Sequence, residues 1–130
     1  MPFVYLDASA GVKLVMDEPE SDALCGWLEE RDAWTSSALF RAEVIRAARR
    51  VDDERLKQAR EVVNATVLLE IDDTLLVAAA ELGPPVVRAL DAIHLATALR
   101  LADQLEALVT YDRRMIEGAR LLGLPVATPA

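Results

Sequence analysis

Phe3-Val4-Tyr5-Leu6-Asp7 is a run of strand-forming apolar residues that stops on an acid. It lacks the polar–apolar alternation of a half-exposed strand. Such a run suits a central strand of a parallel sheet, covered on both faces. Asp7 then sits at the carboxyl end of that strand, the edge at which open α/β sheets place their ligands. Outward from this strand the chain alternates. Ser9 is a plausible N-cap for a helix over 10–16, which the Asp17-Glu18-Pro19 turn ends. A second helix over 21–30 turns Leu24, Trp27 and Leu28 inward, and Ala33-Trp34-Thr35 reads as the next strand. Ser36 or Ser37 is a candidate cap for a third helix running to about Val51, with Phe40, Val44, Ala47 and Ala48 as its buried stripe and Glu43 at the edge of that stripe. Asp52-Asp53-Glu54 opens a fourth helix with the charge that the dipole favours.

The second half continues the pattern. An edge strand is expected over 67–71 and a helix over 72–82, broken at Gly83-Pro84-Pro85. Arg88-Ala89-Leu90-Asp91-Ala92-Ile93-His94-Leu95-Ala96-Thr97-Ala98 is helical in period and apolar nearly all round, which marks a helix buried on several sides. Its acid, Asp91, must then be paired, protonated or bound to a cation. Ala107-Leu108-Val109-Thr110 is a strand delivering Tyr111-Asp112; a helix over 113–122 closes at Gly123, and Pro125-Val126-Ala127-Thr128 is the last strand. Strands alternating with helices predict an α/β fold: a mostly parallel central sheet of about five strands with helices on both faces.

The 130 residues read as a single domain over 1–130, long enough to bury about two-thirds of the unfolded surface. Cys25 stands alone, which excludes an internal disulfide framework or a cysteine-rich metal site. The start of the chain lacks the basic region of a signal peptide, and no apolar run approaches the ~20 residues of a membrane span. A cytoplasmic protein without membrane contact is the expectation. The net charge of −8 argues against holding nucleic acid by bulk electrostatics. It leaves room for a nuclease whose acids need a cation before they tolerate phosphate.

Asp7, Glu43, Asp91 and Asp112 each interrupt an apolar or strand-end context. Singly, each has a plain explanation as a cap or a paired charge. Four converging carboxylates without as many buried bases call for a cation, and oxygen-only donors suit Mg²⁺ or Mn²⁺ rather than zinc. Asp7-Ala8-Ser9 lacks the second acid of the Asp-x-Asp start of aspartyl-phosphate hydrolases. His94 reads as a core or supporting residue, since no placed nucleophile makes it a triad base. Seven bases, Arg41, Arg46, Arg49, Arg50, Arg55, Lys57 and Arg60, crowd one stretch. They are either a solvated face paired with the acids at 52–54 or a rim that tracks phosphates near Glu43.

At Tyr5-Leu6-Asp7-Ala8-Ser9-Ala10, Arg41-Ala42-Glu43-Val44, Leu90 to Ala98 and Val109-Thr110-Tyr111-Asp112 the sequence resembles the PIN-domain family, most closely the VapC-type toxin ribonucleases of toxin–antitoxin modules. The resemblance implies a PIN-like three-layer sandwich. It implies further that Asp7, Glu43, Asp91 and Asp112 bind one or two Mg²⁺ or Mn²⁺ ions, with Ser9 and Thr110 in support, to hydrolyse RNA phosphodiesters by water that the metal activates. Arg46 and Arg50 are the candidate RNA contacts. The implied partners are RNA, a cognate VapB-like antitoxin, with Trp34 and Phe40 as its expected apolar anchors, and a second copy of the chain. Asp112 is followed by Arg113-Arg114-Met115, without the further acid some members carry, which bears on the second ion. A PIN nuclease for RNA processing or single-stranded DNA, and a non-catalytic binding module, are the competing readings.

Overall fold

The computed structural model describes residues 2–130. Strand β1 (Phe3–Leu6) is central in a five-stranded sheet. β2 (Trp34–Ser37) and β3 (Val67–Leu69) lie on one side of it, and β4 (Leu105–Val109) and β5 (Val126–Ala127) on the other, in the order β3-β2-β1-β4-β5. Every pairing is parallel. The chain leaves β1 toward β2 on one side and returns to β4 on the other, so strand order reverses between β1 and β4. That reversal opens a crevice beyond their carboxyl ends.

The absence of alternation in β1 is explained by what covers it. Val4 and Leu6 face a cluster containing Ala10, Leu14, Leu24, Leu28, Phe40, Val44, Ala59 and Val63, drawn from α1 (Ala8–Val15), α2 (Ser21–Glu29), α3 (Leu39–Arg49) and α4 (Asp53–Asn64). Tyr5 faces the other way, into Leu95, Ala98, Leu108, Met115 and Ala119 of α6 (Ala89–Leu99), β4 and α7 (Arg113–Leu121). Helix α5 (Asp73–Ala80) packs on α6 through Leu75, Ala79, Ala92 and Ala96. The predicted sandwich, with helices on both faces of a mostly parallel sheet, is therefore present, and the sheet is wholly parallel. Gly123, at φ +74°, occupies the left-handed position that ends α7.

Three local expectations are corrected. Helix α1 begins at Ala8, capped by Asp7 rather than Ser9: an Asp7 carboxylate oxygen accepts from the Ala10 N–H at 3.0 Å. Ser36 does not cap α3, since its hydroxyl donates to the Leu6 carbonyl at 2.5 Å; Ser37 ends β2, and its hydroxyl oxygen accepts from the Leu39 N–H at 3.2 Å, at the first residue of α3. Helix α6 is buried only from Ala92 onward. Asp91 lies in its half-exposed first turn, so its carboxylate is not in a dry interior.

Candidate functional site

Asp7 and Asp112 follow the adjacent strands β1 and β4 and cap the helices that come next, α1 and α7. Capping accounts for a carboxylate at each position; it does not account for the burial of Asp7, which is 2% exposed. Its Oδ1 accepts from the Ser9 hydroxyl at 2.6 Å and from the Ala10 N–H, and its Oδ2 accepts from the Thr110 hydroxyl at 2.5 Å. The Ser9 oxygen accepts in turn from the Tyr111 N–H at 2.8 Å, and the Thr110 oxygen from the Asp112 N–H at 3.1 Å. Ser9 and Thr110 thus lock the β4–α7 loop onto Asp7 and hold both its oxygens in place. Burial pushes the Asp7 carboxyl up; the Ser9 and Thr110 hydroxyls, the Ala10 N–H and nearby His94 pull it back.

Asp91 faces this corner from α6. Its carboxyl is raised, first by partial burial and then by the Asp112 charge; His94 and Arg88 oppose the rise and Glu43 adds to it. These mutual influences place Asp91, Asp112, Glu43 and His94 in one electrostatic neighbourhood. Asp91 also lines a narrow crevice with Pro84, Val86, Val87 and Arg114, between the loop before α6 and helix α7.

Glu43 stands at the edge of the buried stripe of α3, as expected, and its Oε1 meets His94 Nε2 at 2.7 Å. No ion pair among the described residues joins it to Arg46. The other ring nitrogen of His94, Nδ1, lies 2.7 Å from the Tyr5 hydroxyl. The sequence gives His94 as a core or supporting residue without saying what it supports. The available signal was that the sole histidine sits one turn beyond Asp91 on the apolar side of the helix; its partners, 51 and 89 residues away, had no local signature.

Arg46 and Arg50 are exposed and line a shallow hollow together with Arg49, another of the seven bases of that stretch. They are brought to one another and not, by any hydrogen bond or ion pair among the described residues, to the acids. One expected docking anchor is corrected: Phe40 is fully buried and unavailable as an apolar anchor. Trp34 is half-buried, and its indole N–H donates to the Arg31 and Leu28 carbonyls.

The donor set can be tested against a divalent cation. Every side chain of the acid corner other than His94 presents carboxylate oxygens, and Asp112 and Glu43 repel the Asp91 charge. No three His, Cys, Asp or Glu side chains among the described residues close into a ready-made cage. Such a set fits a hard ion that keeps several of its waters and takes one or two carboxylates directly, as Mg²⁺ does. It does not fit a dehydrated, closed site.

Comparison with known proteins gives a consistent picture. A family model described as the PIN domain matches residues 4–121. The chain is 47% identical to ribonuclease VapC46 of Mycobacterium tuberculosis over 130 residues, the whole of both chains. It is 45% identical to ribonuclease VapC35 of the same organism, over 97% of this chain and 96% of that one. In backbone it is similar to Mycobacterium tuberculosis VapC20, described as a sarcin–ricin loop cleaving toxin, with a TM-score of 0.76 at 12% identity, covering 97% of this chain and 99% of that one. It is also similar to VapBC2 of Rickettsia felis bound to a DNA fragment from their promoter, with a TM-score of 0.70 at 15% identity and coverage of 98% and 99%. At such identities the two structural likenesses speak to the fold alone.

Proposed function

The chain belongs to the PIN-domain family, and from that premise we propose that it is a metal-dependent endoribonuclease, the toxin of a toxin–antitoxin pair. The observation that carries this reading is the Asp7 carboxylate, buried and held by three donors at the β1–β4 switch point, with Thr110 tying it to the loop that carries Asp112, whose charge acts in turn on Asp91. Asp7, Glu43, Asp91 and Asp112 would hold one or two Mg²⁺ or Mn²⁺ ions. Such an ion supplies positive charge for the phosphate and makes water acidic enough to act as nucleophile near neutral pH.

The protein's own part is placement. Ser9 and Thr110 fix the rotamer of Asp7, so that it does not swing when substrate arrives. Asp91 and Asp112 keep negative charge at the mouth of the crevice. A phosphodiester is repelled there until a cation reverses the local sign, which couples RNA binding to metal. Arg46 and Arg50 are assigned to substrate phosphates outside the acid corner.

The residues 1–130 act as one nuclease domain in this reading. The partner is a VapB-like antitoxin, as the joint name of the Rickettsia felis pair suggests by analogy. No helix among the described residues is long and apolar enough to cross a membrane, and we place the protein in the cytoplasm. The exposed Leu76, Val77, Val86, Leu90 and Leu121 offer apolar surface to a second copy. The test is to incubate purified protein with total RNA, with Mn²⁺ or with chelator, and to map the ends. Discrete cuts that need Mn²⁺ and vanish in Asp91→Asn support the reading. Intact RNA under both conditions sinks it. Co-expression with the small gene beside it tests the toxin role separately: a stable, inactive complex is expected.

A further inference from the structure

Neither helix capping nor core packing explains the hydrogen-bonded chain Tyr5–His94–Glu43. It links three elements, β1, α6 and α3, through an interior in which Tyr5 is fully buried and His94 nearly so. The rings of Tyr5 and His94 meet edge-on, with centroids 5.8 Å apart and planes at 79°. The Tyr5 hydroxyl therefore lies at the edge of the imidazole where Nδ1 stands, 2.7 Å away. At the opposite edge Nε2 lies 2.7 Å from Glu43 Oε1.

The direction of the chain follows from hydrogen-bond inventory. An ionised carboxylate only accepts, so Nε2 must carry the proton at the Glu43 end. A neutral imidazole has one N–H, which leaves Nδ1 as an acceptor, and the Tyr5 hydroxyl is the donor that satisfies it. For a neutral His94 the order is Tyr5 O–H to His94 Nδ1, then His94 Nε2–H to Glu43 Oε1. Glu43 needs such a restraint. It sits at the margin of the α3 stripe with a side chain 22% exposed, and three rotatable bonds would otherwise let the carboxylate wander. With Oε1 held, no hydrogen bond among the described residues reaches Oε2, which remains available to the acid corner.

We propose that His94 is a positioning residue: the tautomer that Tyr5 fixes presents Nε2–H to Glu43 and holds its carboxylate toward Asp91. What Glu43 does once held rests on the proposed metal-dependent ribonuclease; the chain itself does not. Partners of this kind, one step behind a metal ligand, typically change metal affinity roughly 10- to 100-fold when removed.

His94 is the only histidine, so ¹⁵N-histidine labelling gives two ring resonances with no assignment problem. The expected spectrum near neutral pH has a protonated Nε2 and an unprotonated Nδ1. In Tyr5→Phe the Nδ1 resonance should move to the position of an unbonded acceptor. A wild-type spectrum with the proton on Nδ1, with both nitrogens protonated, or with two averaged tautomers overturns the proposal. The second measurement is Mn²⁺ binding by calorimetry. His94→Gln keeps an N–H donor near the Nε2 position and should bind within about threefold of wild type, while His94→Leu should bind roughly 10- to 100-fold more weakly. Equal affinity in the two variants overturns the positioning role. Wild-type protein that binds no Mn²⁺ overturns the metal reading instead, and the tautomer spectrum still decides whether the chain is set as described.

Discussion

Replacing a helical glycine by alanine should have opposite effects at two positions of this protein, and the pair tests how the acid corner is supported. A Cβ built on Gly11 of α1 would lie 2.5 Å from Val44 Cγ2 and 2.6 and 2.7 Å from two ring atoms of Phe40. Non-bonded carbons prefer about 3.5–4.0 Å. Phe40 and Val44 are both fully buried on α3, so neither side chain can turn aside into solvent. Alanine gains about 0.5–1 kcal/mol over glycine inside a helix. Overpacking a filled core costs about 1–3 kcal/mol, and contact with three atoms of two immobile side chains belongs at the upper end. The clash therefore wins. Gly11→Ala should lose about 2–2.5 kcal/mol, a fall in Tm of roughly 6–12 °C for a chain of this size. Relief requires α3 to retreat from α1 by roughly 1 Å. Glu43 lies next to Val44 on that helix, so its contact with His94 should lengthen as well. Gly26 of α2 is the control: nothing lies within 4 Å of its Cβ position, and alanine there should raise Tm by a few degrees. Scanning calorimetry on the three proteins reads both signs. A Gly11→Ala protein that melts at or above wild type would refute the account of the α1–α3 contact.

Asp91→Asn should abolish cleavage and leave metal-free protein melting slightly higher, because partial burial and the Asp112 charge both disfavour the ionised acid; unchanged cleavage would remove Asp91 from the site. Asp72, the cap of α5, is held below the usual carboxylate range first by the Arg100 guanidinium, 3.0 Å away, and then by the Leu75 N–H. A lowered folded-state value means its contribution is present above the ordinary aspartate value of about 4 and is lost as pH falls through the folded value. Asp72→Asn, which keeps a capping side chain, should therefore melt below wild type at neutral pH and match it in acid; a gap that persists in acid would show that charge is not the cause. Arg46→Ala with Arg50→Ala should weaken RNA binding and flatten its dependence on salt while leaving Mn²⁺ affinity unchanged, since neither arginine bonds to Glu43. A change in Mn²⁺ affinity by calorimetry would place them at the acids instead.

The layers were legible in the residues alone. An unbroken apolar strand has to be covered twice, and Val4 and Leu6 on one side with Tyr5 on the other are how that burial is met. The residues also determined that Asp7 and Asp112 stand at strand ends, because strand-forming runs stop on them and helical periodicity resumes beyond. Where the sequence reading failed, two local devices competed or a partner was remote. Asp7 and Ser9 are both good caps. Asp7 takes the cap because the Ser9 hydroxyl is bound between Asp7 and the Tyr111 N–H, a contact across 102 residues. Asp91 belongs to an apolar helix, yet periodicity does not say how far the neighbouring layer extends, and burial begins one residue later. The link from Tyr5 through His94 to Glu43 was invisible for the same reason. Propensity and periodicity act between residues within a few positions of one another. A hydrogen bond between β1 and α6 exists only because the parallel register of the sheet and the packing of helices on opposite faces bring those particular atoms within 3 Å.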